Sequence, residues 1–271
     1  MTATVGRAGT DVPARPRKPR TAWKGWLIAA IVLTITYVTG AAIGVNLSDL
    51  IDNWRHGASN FVKLLQPDYT FFPQTLRSLA ETVEMAVIAT FISSVVSLPL
   101  SFLASRVTNP RTGFMLTVRA IMNMVRAVPD LLYAAILVAV VGTGALSGMM
   151  ALFFFDLGIL VKLVSEALDA VDRGPQEAAL ATGASWAKAD RAGVLPEALP
   201  AYASHVLYTL ELNIRVSTVL GLVGAGGLGL LIDKVRTFYH YHALSLIILE
   251  ILVIILVLET VSSWVRRRLI A

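Results

Sequence analysis

The residue pair in this chain with the clearest potential for chemistry is a glutamate and an arginine inside an apolar segment. Glu211 and Arg215 are four residues apart, so both would lie on one face of a helix, in the acid-before-base order that favours an ion pair. One interpretation is a structural ion pair between helices. The other is a polar wall of a solute path, where the guanidinium of Arg215 would bind an oxyanion, because its N–H fork matches phosphate-type oxygens.

The sequence contains no recognisable motif for covalent catalysis. The chain has no cysteine, which excludes disulfides, thiolate metal sites and cysteine nucleophiles. Its four histidines lack the H-x-x-x-H and H-E-x-x-H spacings of zinc sites, and no G-x-S-x-G sequence occurs. We therefore predict no catalytic residue and no metal site, and a membrane-embedded enzyme is the weakest functional alternative.

A glycine-rich segment contains Gly224, Gly226, Gly227 and Gly229 and matches the dinucleotide-binding pattern G-x-G-x-x-G. Such a site needs alternating strands and helices, whereas long apolar runs surround this segment. We instead predict a flexible or close-packed break at the end of an apolar span, since glycine reaches backbone geometries that other residues cannot. The phosphate-binding sequence G-x-x-x-x-G-K-[ST] is also missing, so the chain has no ATP-binding loop of that type.

The elements that must position these residues are membrane helices. Hydrophobic residues make up 56% of the 271 residues and charged residues only 15%. A soluble domain has about 25% charged residues. Apolar runs near the length of about 20 residues that spans a bilayer recur along the chain. The predicted fold class is therefore all-α, an integral membrane bundle of about six transmembrane helices.

Six segments are apolar and long enough to be spans. They cover residues 26–45, 82–103, 112–141, 146–164, 199–223 and 243–264. The third should contain a break at Pro129, because proline removes a helix hydrogen bond. Arg126 lies just before this break and is a second candidate for a solute path, although its long side chain could equally extend to the membrane surface.

Charge distribution predicts the orientation and the domain organisation. The boundaries are a basic tail at 1–24, a first transmembrane helix at 25–45, an external loop at 46–78 and a core domain at 79–271. Basic residues also end the chain at Arg266–Arg268, and because positive flanks mark the cytoplasmic side, both termini should be cytoplasmic. The first helix could instead be a cleaved signal peptide, but its length favours an uncleaved anchor. The basic tails lack interleaved aromatic residues, so we expect no nucleic-acid binding.

The longest polar stretch of the second half, residues 165–198, separates the fourth and fifth spans. Pro175 suits a first helical turn and Gly183 suits a helix end. We therefore expect a short helix, a turn, and a second helix that ends near Pro196. By composition alone the stretch could also be an ordinary solvated loop.

The spacing within this stretch is more specific than its composition. It resembles the EAA loop, E-A-A-x3-G-x9-I-x-L-P, of permease subunits of bacterial ABC importers. The matching residues are Glu177, Ala178, Ala179, Gly183, Leu195 and Pro196. Gly193 stands where isoleucine is usual, so the apolar contact there should be shifted or weaker. The resemblance implies a coupling helix that docks on an ATP-hydrolysing subunit and transmits its closure to the membrane.

More narrowly, the chain from about residue 82 onward resembles phosphonate-type permeases. The residues that carry this resemblance are Arg126–Pro129, Glu166, Asp172, Gly174–Pro175, Glu177–Ser185, Leu195–Pro196, Glu211–Arg215 and Val219–Gly229. It implies a type I ABC importer permease in the bacterial cytoplasmic membrane. Such a chain is not an enzyme and translocates a phosphonate or related oxyanion by alternating access.

The resemblance also implies partners. They are a second copy of the chain in a homodimer, two ABC ATPase subunits that bind ATP and Mg, and an extracytoplasmic solute-binding protein that delivers the solute. The chain itself would bind no cofactor. The alternatives are a permease for methionine, phosphate or phosphite, and an ion-coupled secondary transporter, a class that tends to show internal repeats.

Overall fold

The computed structural model describes residues 22–45 and 47–270, and this part of the chain contains helices and no strand. The α-helices are α1 (Ala22–Ala42), α2 (Leu47–Asp52), α3 (Trp54–Leu64), α4 (Phe72–Ala104), α5 (Thr112–Ala127), α6 (Asp130–Val141), α7 (Ala145–Asp169), α8 (Gly174–Ala181), α9 (Trp186–Ala189), α10 (Leu195–Leu220), α11 (Gly227–Thr237) and α12 (Tyr241–Ile270). Short 3₁₀ helices cover Tyr69–Phe71 and Gly221–Val223, and a π-helical turn covers Asp190–Val194.

Five helical stretches of the described residues are long and apolar enough to cross a membrane, and a bent pair makes a sixth. The five contain α1, α4, α7, α10 and α12, and α5 and α6 form the bent pair. The predicted all-α membrane bundle of about six spans is therefore confirmed. Helix α4 begins at Phe72, well before residue 82, and Pro73 lies in its first turn, where a missing N–H is tolerated.

The chain divides after Ala58 into two compact units. The first contains α1, which is apolar and has no buried residue among its described side chains, as expected of a helix that faces lipid. Most of the predicted basic tail, residues 1–21, lies outside the described residues.

The second unit is organised around the close packing of α4 against α7. Its buried small residues are Ala86, Ala89, Ser93, Ser97 and Ser101 on α4, with Ser147, Gly148 and Ala151 on α7. Small side chains let membrane helices approach closely, which gives van der Waals contact where lipid removes the hydrophobic driving force. Larger residues of α4 point outward, including Phe91 and Val95. The bundle therefore has a small-residue interior and an apolar exterior.

The predicted break in the third span is a sharp bend of 81° between α5 and α6. Val128 is extended, with ψ at 124°, because the residue before a proline is disfavoured in the helical region. Pro129 then precedes the first residue of α6. The hydroxyl of Tyr133 donates to the carbonyl of Val125 at 2.7 Å, whereas the N–H of Val128 reaches the same carbonyl only at 3.4 Å, so Tyr133 is its closer partner where α5 ends.

Candidate functional site: the coupling loop and the polar residues of the spans

Helix α8 carries the first half of the EAA sequence. Glu177 lies in its first turn, where a negative charge is favourable to the helix dipole. The helix stops at Gly183, whose φ of +87° suits glycine. The N–H of Gly183 donates to Leu180 at 2.9 Å and that of Ala184 to Ala179 at 3.2 Å, the pair of bonds that defines a Schellman cap. The predicted short helix and its stop at Gly183 are both present.

The second predicted helix differs from expectation. Trp186–Ala189 continues through the π-helical turn at Asp190–Val194 directly into α10. The helix therefore does not end near Pro196, as the sequence suggested. Pro196 instead lies in the first turn of α10, directly after the π-helical turn, and has no N–H to donate to that turn.

The departure from the family sequence at Gly193 has a steric cause. A Cβ at Gly193 would lie 2.7 Å from the backbone nitrogen of Gln176 and 2.9 Å from the carbonyl carbon of Pro175. The apolar contact is made by the next residue, Val194, which is completely buried. Its cluster contains Val107, Val164, Leu168 and Ala198. The contact is thus shifted by one residue, and the two halves of the EAA sequence pack together.

A buried glutamine fastens the coupling loop to the membrane helices. The Nε2 of Gln176 donates to the carbonyl of Val107 at 3.1 Å and to Oδ1 of Asp190 at 2.6 Å. Both side chains are buried. This contact joins α8 to the segment after α4 and to the π-helical turn. Sequence reasoning missed it, because one glutamine beside a motif has no spacing that indicates a role.

Asp169 forms a second anchor at the end of α7. Its Oδ1 accepts from the hydroxyl of Ser105 and the N–H of Arg106, each at 2.7 Å. Its Oδ2 accepts from Nη2 of Arg119, also at 2.7 Å, while Nε of Arg119 donates to the carbonyl of Ala104 at 2.6 Å. The ends of α4 and α7 and the middle of α5 are therefore held together where the coupling loop begins.

The coupling loop also has an outward face, formed by two residues of the EAA sequence and a nearby tryptophan. Glu177 and Ala178 are exposed, and the indole of Trp186 is 49% exposed. Ala179 and Leu195 are half-buried against the loop. Helix α8 thus combines a fixed inner side with an open outer side, which is the geometry that a rigid docking element requires.

The ion pair predicted between Glu211 and Arg215 does not form among the described residues, and Glu211 instead pairs with a residue of another helix. Oε1 of Glu211 accepts from Nη2 of Arg266 on α12 at 2.6 Å, and Nε of Arg266 also approaches the carbonyl of Ser262 at 3.4 Å. The Glu211 side chain is only 11% exposed. Packing of α12 against α10 brings Arg266 there, and a pair shielded from water attracts more strongly than an exposed pair along one helix.

Arg215 and Arg126 have exposed side chains and form no ion pair with any described residue. Arg215 lies one turn beyond Glu211 on α10. Arg126 lies in the last turn of α5, where a positive charge complements the helix dipole, and its backbone packs against Gly158 of α7. The structure does not pair these cations with each other or with Glu211. Their place on a solute path stays a prediction.

The glycine segment forms a close-packed junction between α10 and α11. Gly224 has a left-handed φ of +90°, and its carbonyl accepts from the N–H of Gly144 at 2.9 Å. A Cβ at Gly226 would lie 2.8 Å from both Ala145 nitrogen and Glu81 Oε1. Gly227 and Gly229 are likewise buried against Thr82 and Gly221. No strand is near it in the described residues, so a dinucleotide site is not supported.

The segment predicted as an external loop, residues 46–78, holds α2, α3, a 3₁₀ turn and the start of α4. Within the second unit, Gln66 is tied to the start of α12, because Nδ1 of His242 lies 2.8 Å from its carbonyl oxygen. Hydrogen bonds from the hydroxyl and the N–H of Thr70 hold the pKa of Asp68 below its usual value. These contacts fix the approach to α4 and α12.

Residues 97–271, which include the coupling loop and its anchors, match the family described as "Binding-protein-dependent transport system inner membrane component". The chain belongs to this family. It is therefore a multi-pass membrane component of a transport system, and the EAA loop is the feature of this permease family that its structure displays most clearly.

Two relatives of the permease are similar over most of this chain. Phosphate-import permease protein PhnE of Mycolicibacterium smegmatis is 38% identical over 212 residues, which cover 78% of this chain and 40% of that protein. Phosphite transport system permease protein PtxC of Stutzerimonas stutzeri is 36% identical over 246 residues, which cover 90% of each. The permease thus spans less than half of the first relative and nearly all of the second.

A solved structure supports the fold of the permease. An inward-facing MetNI methionine ABC transporter chain aligns with a TM-score of 0.68 and covers 74% of this chain and 99% of that chain. The aligned residues are 24% identical, so this likeness concerns the fold alone.

Proposed function

We propose that this chain is the membrane-spanning permease subunit of an ATP-driven importer for a phosphonate or related oxyanion. The solute would come from an extracytoplasmic solute-binding protein. ATP and Mg would be bound and ATP hydrolysed in two separate ABC ATPase subunits, and two copies of this chain would enclose the path. Both termini would lie in the cytoplasm, and this chain would perform no covalent chemistry.

The observation that carries the proposal is the construction of α8. Its inner side is locked by Gln176, Gly193 and Val194, while Glu177 and Ala178 face outward. A helix held this way moves as one body with α7 and α10, the helices that lead into and out of the loop. Closure of an ATPase against its outer face would therefore reach the membrane as a rigid displacement.

The oxyanion assignment rests on the relatives and on two cations. One relative is named for phosphate import and another for phosphite transport. Arg215 and Arg126 have no carboxylate partner among the described residues, which leaves their guanidinium forks open to tetrahedral oxyanions. Relatives named for D-methionine transport are less similar, at 29–32% identity over 53–69% of this chain, so an oxyanion is favoured over methionine as the solute.

The direct test is reconstitution in liposomes of the permease with the ATPase and the solute-binding protein of its own system. Uptake of labelled phosphite, phosphate, a phosphonate and methionine is compared with ATP present and absent. We expect ATP-dependent uptake of one of the oxyanions and none of methionine. Uptake that an ion gradient drives without ATP would instead support a secondary transporter and overturn the proposal.

Arg215→Gln tests the role of the open cation. Loss of one charge-assisted contact to an oxyanion costs about 1.5–3 kcal/mol, so we expect uptake at limiting solute to fall by at least about tenfold. Co-purification with the ATPase should be unchanged. Arg111→Gln, an exposed arginine before α5, is the matched control. Loss of the folded complex in Arg215→Gln would indicate a structural role instead.

A further inference from the structure

A buried polar cluster lies where α4, α7 and α10 meet, away from the coupling loop. It consists of Thr90, Ser93, Asp156 and Asn213, and the side chains of all four are buried, those of Asp156 and Asn213 completely. Nδ2 of Asn213 donates to Oδ2 of Asp156 at 2.6 Å and to the hydroxyl of Thr90 at 2.8 Å. Ser93 also reaches Oδ2 of Asp156, at 3.2 Å.

Two oxygens of this cluster are left without a hydrogen bond. They are Oδ1 of Asp156 and Oδ1 of Asn213, each buried and without a described partner. Both N–H groups of the Asn213 amide are already used, so the amide has no further proton to offer. The remaining N–H and O–H groups of the cluster already donate to other atoms. The cluster therefore lacks one donor hydrogen for these two oxygens.

No cation compensates the Asp156 carboxyl. Among the basic groups of neighbouring elements, Arg266 binds Glu211 of α10, Lys162 of α7 binds Glu166 and Arg119 of α5 binds Asp169, while the side chains of Arg126 and Arg215 are exposed. Glu81 and Glu84 of α4 and Asp130 of α6 are acids and cannot neutralise a carboxylate. None of the described basic side chains forms an ion pair with Asp156. An isolated carboxylate inside a membrane bundle is expensive, whereas a neutral acid is not.

We infer that Asp156 is a buried proton-binding site, and that its protonated carboxyl forms a neutral acid–amide pair with Asn213. With the proton on Oδ1 of Asp156, that oxygen becomes a donor and Oδ1 of Asn213 its acceptor. One proton thus satisfies both open oxygens and removes the charge. The pair joins α7 to α10, and Thr90 and Ser93 join both to α4.

This pair gives the coupling loop a second level of support. Helices α7 and α10 lead into and out of the loop, where Asp169 and Gln176 hold the chain. The acid–amide pair holds the same two helices deeper in the bundle, so that they cannot separate when α8 is displaced. That consequence rests on the proposed function, whereas the proton site itself does not.

Infrared spectroscopy of the purified protein in lipid tests the proton directly. A protonated carboxyl has a C=O band that is separate from the carboxylate bands, shifts in D₂O, and shifts again when aspartate is isotope-labelled in its side-chain carboxyl. We expect such a band at neutral pH in the wild-type protein, its loss in Asp156→Asn, and its retention in the control Asp190→Asn. In Asn213→Leu the band should move to higher frequency, because the acid loses its acceptor.

Stability gives the second readout. In Asp156→Asn the new amide can donate to Asn213, so we expect a melting temperature close to that of the wild type and an uptake rate within about twofold of it. Asp156→Leu should lower both the melting temperature and the uptake rate. An aspartate-labelled wild-type protein without a protonated band would overturn the proposal. So would stability that depends on sodium or potassium in the wild type but not in Asp156→Asn, because it would indicate a bound cation in place of the proton.

Discussion

At the residue scale, Gly193 shows how a departure from a family sequence is compensated locally. The backbone of Gln176 occupies the space where a side chain would lie, and Val194 makes the apolar contact instead. The EAA sequence therefore describes a packing arrangement that can be met by more than one residue pattern.

We predict that Gly193→Ile, which restores the residue usual in the family, is harmful in this chain. The added side chain would overlap the start of α8, and overpacking costs about 1–3 kcal/mol. ATP-driven uptake should fall, while ATP hydrolysis by the assembled complex persists. The matched control is Ala192→Ile, at the exposed neighbouring position. Normal coupling in Gly193→Ile would show that the close approach to Gln176 is not required.

A second prediction concerns the ion pair between α10 and α12. Arg266→Gln leaves Glu211 buried without its cation, and breaking such pairs costs about 3–5 kcal/mol, less here because Arg266 is 29% exposed. We expect a clear fall in the melting temperature in detergent. Arg267→Gln, an exposed neighbour, should melt like the wild type. Equal melting of both variants would mean that the pair adds no stability.

At the scale of elements, the position of the spans, the bend and the first coupling helix could be predicted from the sequence. Apolar length determines the spans, Pro129 the bend, and Gly183 the end of α8, and each is a local property. The partner of Glu211 could not be predicted in this way, because it depends on how α12 packs against α10.

The anchors of the candidate site were missed for the same physical reason. Gln176, Asp169 and Asn213 each bond to residues that are distant in the sequence. Spacing along one helix carries no information about such contacts. Asp156 interrupts the apolar sequence of α7, but that interruption alone does not identify Asn213 as its partner.

The α4–α7 contact gives a prediction at this scale. Ala151 is completely buried against α4, so Ala151→Leu should force the two helices apart at a cost of about 1–3 kcal/mol. The melting temperature should fall and less protein should survive extraction in detergent. Val95→Leu, on the exposed side of α4, is the control and should behave like the wild type. An unchanged melting temperature for Ala151→Leu would show that this contact can expand freely.

At the scale of the whole molecule, the second unit joins a small-residue bundle to an outward coupling helix. Polar contacts hold the bundle at two levels, through Asp156 within the spans and through Asp169 and Gln176 at the loop. The apolar exterior suits lipid and a second permease chain. The arrangement favours movement of α7, α8 and α10 as one body, as alternating access requires.

The most direct test of this account is a cross-linking measurement, which the absence of cysteine makes simple. A single cysteine at Ala178, on the open face of α8, carries a photoreactive maleimide in the complex assembled with its ATPase. Thr237→Cys, exposed at the end of α11, is the control. The account predicts a product between the permease and the ATPase from Ala178→Cys and none from Thr237→Cys. No product from Ala178→Cys, or equal products from both positions, would contradict it.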